Sequence, residues 1–285
     1  MTKWLGLPLV ILLSIYVSLI FPMSRYLTAR PIAVKLGLPP DARAIKMVAG
    51  DQRYLVANIL VSNVLFYYGT LLEKDPRNIT KRPEYFSMFK TLENVVKIDP
   101  YNMDAYYFTQ AAFTWEVGRA GDVNKVLAYG MRFRDWDYQL PFFAGFNAAY
   151  FLKDYAAAAK YMQRAAELSD NPLFTTLASR YFYEAGEHEL GILFLDTMVR
   201  GARDDKVRKS YQMRLDALQA VNRLDNAIKK YVIKFGSLPK NPDQLVSAGF
   251  IQSVPADPYG GTFYLDEHGK VLTTSGFVTK NVIRH

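Results

Sequence analysis

The stretch GFNAAYFLKDYAAAAKYMQRAAELSDNP, residues 145–172, reads as two helices joined at Lys153-Asp154 and closed by Asn171-Pro172. Aspartate suits the N-cap of the second helix, and a proline disfavours helix in the residue before it. Working outward, Ala111, Gly145 and Ser179 are small residues 34 positions apart, each in an aromatic-rich helical stretch. A fixed period of this size marks a two-helix repeat in which small residues let paired helices approach closely. Asp104–Val117 with Asp122–Arg134 forms the preceding pair, and Leu173–Ala185 with Glu187–Val199 the following one. Breaks between pairs fall at Asp99-Pro100, Asp135-Trp136, Asn171-Pro172 and Asp204-Asp205.

The 145–172 unit resembles the tetratricopeptide repeat family, whose pattern runs G-x2-Y, then G-D-Y-x2-A, then a closing proline. Gly145 matches the close-packing position of the first helix, Ala158 the small position of the second, and Met162 the bulky one. Ser179 and Gly191 take these places in the next unit, and Ala111 in the previous one. The resemblance covers about residues 81–200 and implies a short α-solenoid whose first helices line a concave face. Carrying that face onto this chain selects Phe108, Trp115, Gln139, Phe142, Phe146, Arg180 and Tyr183 as the partner groove. Tyr150, Phe151, Tyr155 and Tyr161 are expected to pack between repeats instead. Aromatics at helical spacing are more often core than groove, so packing is the competing reading of the whole set.

Residues Trp4–Phe21 form an uncharged apolar run, the lower length that spans a bilayer. A cleaved signal peptide shares its features. The length of the run, and the lack of a small-x-small site directly after it, favour an uncleaved anchor. The expected order is a transmembrane anchor at 1–29, a connector at 30–41 and a divergent capping helix pair at 42–98. Repeats at 99–206 and a tail at 207–285 complete it. The order resembles an anchored bacterial tetratricopeptide group, which implies an inner-membrane, single-pass protein. Short amino-terminal anchors commonly export the domain behind them, and the carboxyl-terminal segment below resembles extracytoplasmic proteins, so the bulk is expected in the periplasm. Counted literally, Arg25, Arg30 and Lys35 after the span argue for the cytoplasmic side.

Val207–Phe235 reads as one long helix stopped by Gly236, with a short helix from Pro242 to Gly249 beyond it. Thr262–Leu265 and Lys270–Thr273 have the composition of a hairpin around Asp266–Gly269. Leu238-Pro239, Leu245, Gly249, Pro255 and Asp257-Pro258-Tyr259-Gly260 are similar to the end of type II secretion major pseudopilins. That likeness implies calcium near Asp257, Asp266 and Glu267, which offer oxygen ligands. Acids in turns of this kind are ordinarily just solvated, and no metal site is assigned. The fold class is mainly α, with a small α+β carboxyl-terminal segment.

The chain has no cysteine, which removes disulfides, thiolate metal sites and cysteine nucleophiles. Its net charge of +8 is spread, with local excess at Arg203–Arg214 and Lys229–Lys234. No nucleic-acid motif accompanies it, so a generally basic surface facing anionic lipid is the reading. His188, His268 and His285 are expected to be exposed. No phosphate loop, dinucleotide fingerprint or serine elbow appears, and no cofactor is implied. The expectation is a non-enzymatic membrane scaffold that binds a protein partner. The alternative is a self-associating protein whose own terminal helix fills the groove.

Overall fold

The computed structural model describes residues 6–29, 36–37, 41–72 and 83–278. The protein is mainly helical and divides into two compact units, Met1–Asp99 and Pro100–His285. Trp4, Arg30, Lys35 and His285 lie outside the described residues, as does most of the connector.

In the first unit, α1 (Gly6–Ala29) carries exposed apolar side chains from Ile11 to Met23. The helix long and apolar enough to cross a membrane, among the described residues, is Ala42–Leu72, and Ile11–Arg25 is a shorter apolar stretch. Ala42–Leu72 comprises α2 (Ala42–Ala49), a tight turn at Gly50–Gln52 and α3 (Arg53–Leu72). Asp41 caps α2 by accepting the backbone N–H of Arg43 at 2.7 Å and of Ala44 at 3.1 Å. The 20 residues of α3 rise about 30 Å, the thickness of a bilayer's hydrocarbon core. One face of α3 buries Ala57, Val61, Val64 and Tyr67, and the helix packs with α2 and with α4 (Tyr85–Ile98). Leu55, Ile59, Phe66 and Leu72 stay exposed. The sequence expectation places 42–72 in a divergent capping pair. That helix is also long and apolar enough to span a membrane.

The second unit opens with α5 (Met103–Phe108), which continues through a wide π-type turn at Thr109–Thr114, and then α6 (Ala120–Met131). Next come α7 (Gln139–Asn147), its own π turn at Ala148–Leu152, and α8 (Tyr155–Glu167). The last pair is α9 (Pro172–Ala185) and α10 (His188–Gly201). The tail holds α11 (Asp205–Phe235), α12 (Pro242–Ser247), β1 (Phe263–Leu265) and β2 (Val271–Thr273). The two strands pair antiparallel, with Tyr264 opposite Leu272. Asn102, Asp154, Asn171, Asp204 and Asn241 start α5, α8, α9, α11 and α12 by accepting backbone N–H groups. Such caps contribute about 1 kcal/mol each.

From α6 to α11 each helix packs on the next in sequence, as a stacked array requires. Gly145 and Gly191 sit where helices cross closely. A methyl added at Gly145 would come within 3.0 Å of Met162, and one at Gly191 within 2.7 Å of Leu218 and 2.8 Å of Phe182. Ala158 and Ser179 are buried as the repeat pattern expects. Ala111 is exposed, contrary to expectation, and Ala112 is buried in its place. The π turn at Thr109–Thr114 widens the helix there and shifts the facing residue by one. Gln110, Ala144 and Ala178, also 34 apart, are buried in all three pairs.

Gln110 brings an amide into that buried position, and Asn147 answers it. Gln110 Nε2 donates to Asn147 Oδ1 at 3.0 Å, and Asn147 Nδ2 donates back to Gln110 Oε1 at 2.7 Å. Asn147 Nδ2 also donates to Asn124 Oδ1 at 2.9 Å, and Asn124 Nδ2 to the Ala144 carbonyl at 3.0 Å. Three elements are thus tied by satisfied buried amides. One apolar core then runs from Ala159 and Met162 of α8 through Phe182, Leu195, Leu218 and Leu224 to Leu245, Phe263 and Val271. Replacing Asn147 by leucine takes the partner from Gln110 Nε2 and Asn124 Oδ1, while Gln110 Oε1 keeps Thr114 and Asn124 Nδ2 keeps the Ala144 carbonyl. Urea unfolding should show a loss of about 2–4 kcal/mol, whereas a substitution at exposed Lys160 should cost less than about 0.5 kcal/mol.

Candidate functional site

The seven expected groove residues fall into two places. Trp115 is 56% exposed just after the π turn of the first pair. Its ring lies 5.9 Å from Phe146, 5.8 Å from Tyr150 and 5.0 Å edge-on to Phe151. Phe146 stacks on Tyr150 at 5.4 Å. Phe142 sits between Phe143 at 5.6 Å and Phe174 at 5.4 Å, and Tyr107 reaches Phe143 at 6.3 Å. An aromatic chain therefore joins α5, α7 and α9. Phe142 and Phe146 are half-buried with one side on the core. Phe108 is also half-buried, as is Gln139, whose backbone N–H donates to Asp137 Oδ1 at 2.9 Å. Tyr150, expected to pack between repeats, is instead 55% exposed, while Tyr155 stacks on Tyr181 at 6.2 Å as packing residues do.

Tyr183 and Arg180 belong elsewhere. Tyr183 is buried, and its hydroxyl donates to the Val271 carbonyl at 2.7 Å. Its ring meets Phe277 edge-on at 4.9 Å, with Lys270 Nζ 5.1 Å from its centre. Lys270 in turn pairs with Glu184 at 2.8 Å. Burial first, then the Glu184 carboxylate, push the Tyr183 hydroxyl far above its ordinary pKa. It is a packing residue here, because the hairpin closes over this part of α9. Arg180 is exposed beside a cavity of about 380 Å³ lined by Thr176, Tyr183, Arg214, Tyr259, Leu272 and others. Arg214 Nε is buried there with no hydrogen-bond partner among the described residues. The site thus offers an exposed aromatic surface and, separately, a cavity with two guanidinium groups.

The tail brings together residues that sequence reading does not connect. Asp257 is buried and accepts hydrogen bonds from Ser275 Oγ at 2.6 Å, from Thr273 Oγ1 and from the Tyr259 N–H at 2.9 Å. Burial alone pushes its carboxyl up, but these bonds and one from the Gly261 N–H outweigh it and hold the pKa below 3.8. Asp266 is likewise occupied, accepting from the His268 and Lys270 N–H groups, and Glu267 is exposed. The three acids raised for calcium each have separate surroundings. Among the described residues no three His, Cys, Asp or Glu side chains gather as a metal set. His188 is buried rather than exposed, with Nδ1 3.0 Å from Asp225 Oδ2 and its ring stacked on Tyr183 at 6.0 Å. Its partner lies in another helix, so only the tertiary fold reveals the pair. His268 is exposed as expected.

No protein-family model, curated protein or solved structure matches the chain. Function therefore has to be argued from the site itself.

Asp257 gives the tail a pH dependence with a definite sign. A carboxyl whose folded pKa lies below its unfolded value adds stability above that unfolded value. The contribution should be complete above about pH 5 and disappear as acid carries the pH through the folded pKa. Near-ultraviolet circular dichroism of the tyrosine-rich tail, followed against pH, should show this loss. Asp257→Asn should flatten the profile and destabilise the protein by about 2 kcal/mol at neutral pH.

Proposed function

We propose that this chain is a membrane-anchored helical-repeat adaptor without enzymatic activity, of the tetratricopeptide type. Its aromatic face receives a segment of a protein partner in a bacterial envelope assembly or secretion-type machine. The observation that carries the reading is the exposed cluster of Trp115, Tyr150 and neighbouring Phe146 and Phe151. Large aromatic side chains with one face in water are the residues that anchor protein interfaces. They lie on helices held by core and amide contacts, so the surface is organised before a partner arrives.

A second reading is a self-associating membrane protein whose own tail occupies the groove. The burial of Tyr183 under β2 favours it for the α9 end, since that expected groove residue is already covered. The aromatic face at Trp115 separates the two. Trp115→Ser with Tyr150→Ser should leave thermal unfolding unchanged, because both side chains are largely in solvent. Crosslinking from native membranes should then recover at least about tenfold less of a heterologous partner if these are interface anchors. Unchanged recovery would reject the aromatic face as the docking surface. Loss of a homo-oligomer, read by mass photometry, would select the self-association reading.

The chain is proposed to lie in an inner membrane, with the second unit on the periplasmic side. A single span puts that unit opposite the amino terminus, whereas use of Ala42–Leu72 as a further span returns it to the same side. Reporters at both ends measure this directly. Opposite compartments are expected, with the carboxyl-terminal reporter periplasmic, and a shared compartment would overturn the single-pass arrangement.

A further inference from the structure

The last turns of α11 leave an exposed lysine-rich face around Ile233, on the side away from Tyr231 and Phe250. Ile233 is 85% exposed, the highest exposure of any large apolar residue in this unit's tail. Lys229 and Lys230 stand one turn before it and Lys234 directly after, all exposed. Phe235 and Leu238 follow at 50% and 45% exposure, and Lys240 is exposed beyond them. The face is firmly held from behind. Phe235 packs on Tyr231 at 4.6 Å and meets Phe250 edge-on at 6.3 Å, and Lys234 Nζ lies 5.3 Å from the Phe235 ring. A methyl placed on Gly269 would come within 2.5 Å of Leu238, so the hairpin turn abuts the same edge. The acids at its margin are Asp243, opening α12, and Glu267, in that turn, and both are exposed. Among the described residues neither is paired with any of the four lysines.

We infer that this end of α11 docks on the anionic surface of a phospholipid bilayer. A single exposed isoleucine is ordinary. Ile233, with Leu238 beyond the helix end, set among four lysines has the composition that lies in the headgroup boundary. The apolar groups enter the acyl edge while ammonium groups meet lipid phosphates, and long lysine stems bend outward to allow both. A nucleic acid would satisfy the lysines but leave Ile233 and Leu238 facing water. The chain also carries the membrane-length helix Ala42–Leu72, so a bilayer is an available partner at high effective concentration. This inference does not depend on the aromatic face, which uses other helices and a different kind of partner.

The absence of cysteine allows a clean test. Ile233→Cys places one thiol on the face, to be labelled with the polarity-sensitive fluorophore NBD. The full chain is then placed in nanodiscs of phosphatidylcholine alone or mixed with phosphatidylglycerol. Bilayer docking should shift NBD emission to the blue and brighten it in the mixed discs but not in the neutral ones. K229E, K230E and K234E together should abolish the shift, as should high salt, which shortens the reach of surface charge. A label at Lys160→Cys on α8 should show the same spectrum in both discs. Identical spectra for the Ile233 label in the two lipids would overturn the proposal. So would a shift that survives the triple charge reversal, or one that also appears in detergent without lipid, which would mean burial against protein.

Discussion

The closure of the tail over α9 is the constraint on which the second unit depends. Phe182, Leu195, Leu218 and Leu224 of the helices share one core with Leu245, Phe263 and Val271 of the tail. Neither side could bury its apolar surface alone, because a three-residue hairpin and a short helix have too little of their own. The Tyr183 hydroxyl on the Val271 carbonyl and the Lys270–Glu184 pair fix where the two meet. Asp257 then ties the loop before β1 to the segment after β2 through Thr273 and Ser275. The long helix α11 is therefore both the last layer of the array and the platform for the hairpin. Where this closure is incomplete, the cavity beside Arg180 and Arg214 remains.

At the other end of the array a different interaction sets the register. The Gln110–Asn147 amide pair and Asn124 are polar groups in an interior that would otherwise accept many apolar arrangements. Buried amides are tolerated only when each finds its partner, so they disfavour slips that apolar contacts alone would permit. The π turns at the ends of α5 and α7 fit the same picture. Each absorbs an extra residue so that aromatic side chains such as Trp115 and Tyr150 reach the surface while Ala112 and Ala149 turn inward.

Much of the helix layout is legible in the chain because its punctuation is local. Asp154, Asn171 and Asp204 cap helices through atoms two or three residues away, and Gly186 and Gly236 adopt left-handed backbone at helix ends. Gly145 and Gly191 are visible for a similar reason, since close approach admits nothing larger. Ala111 misleads because a π turn leaves no compositional mark, and a shift of one residue moves a side chain from contact to solvent. His188, Arg214 and Asp257 misread as ordinary surface residues for another reason. What buries or engages them, α11 for the histidine and Thr273 and Ser275 for the aspartate, comes from distant sequence. Of the expected groove positions, Trp115 and Phe146 come together in space, but spacing cannot show that Tyr183 is already covered.

Packing of each helix on its sequence neighbours has a mechanical corollary. Load enters such an array as into a zip, and resistance depends on which end is sewn shut. Here α9, α10 and α11 are stitched to a hairpin formed by residues far along the chain, while α5 is held within its unit by near neighbours. Tension drawn through the amino-terminal side would therefore open the α5–α6 pair before the tail-locked end. The aromatic patch around Trp115 joins this first pair to α7 and the turn after it. A partner gripping both Trp115 and Tyr150 would act as a clasp between the pairs, coupling occupancy of the surface to the unit's resistance to pulling.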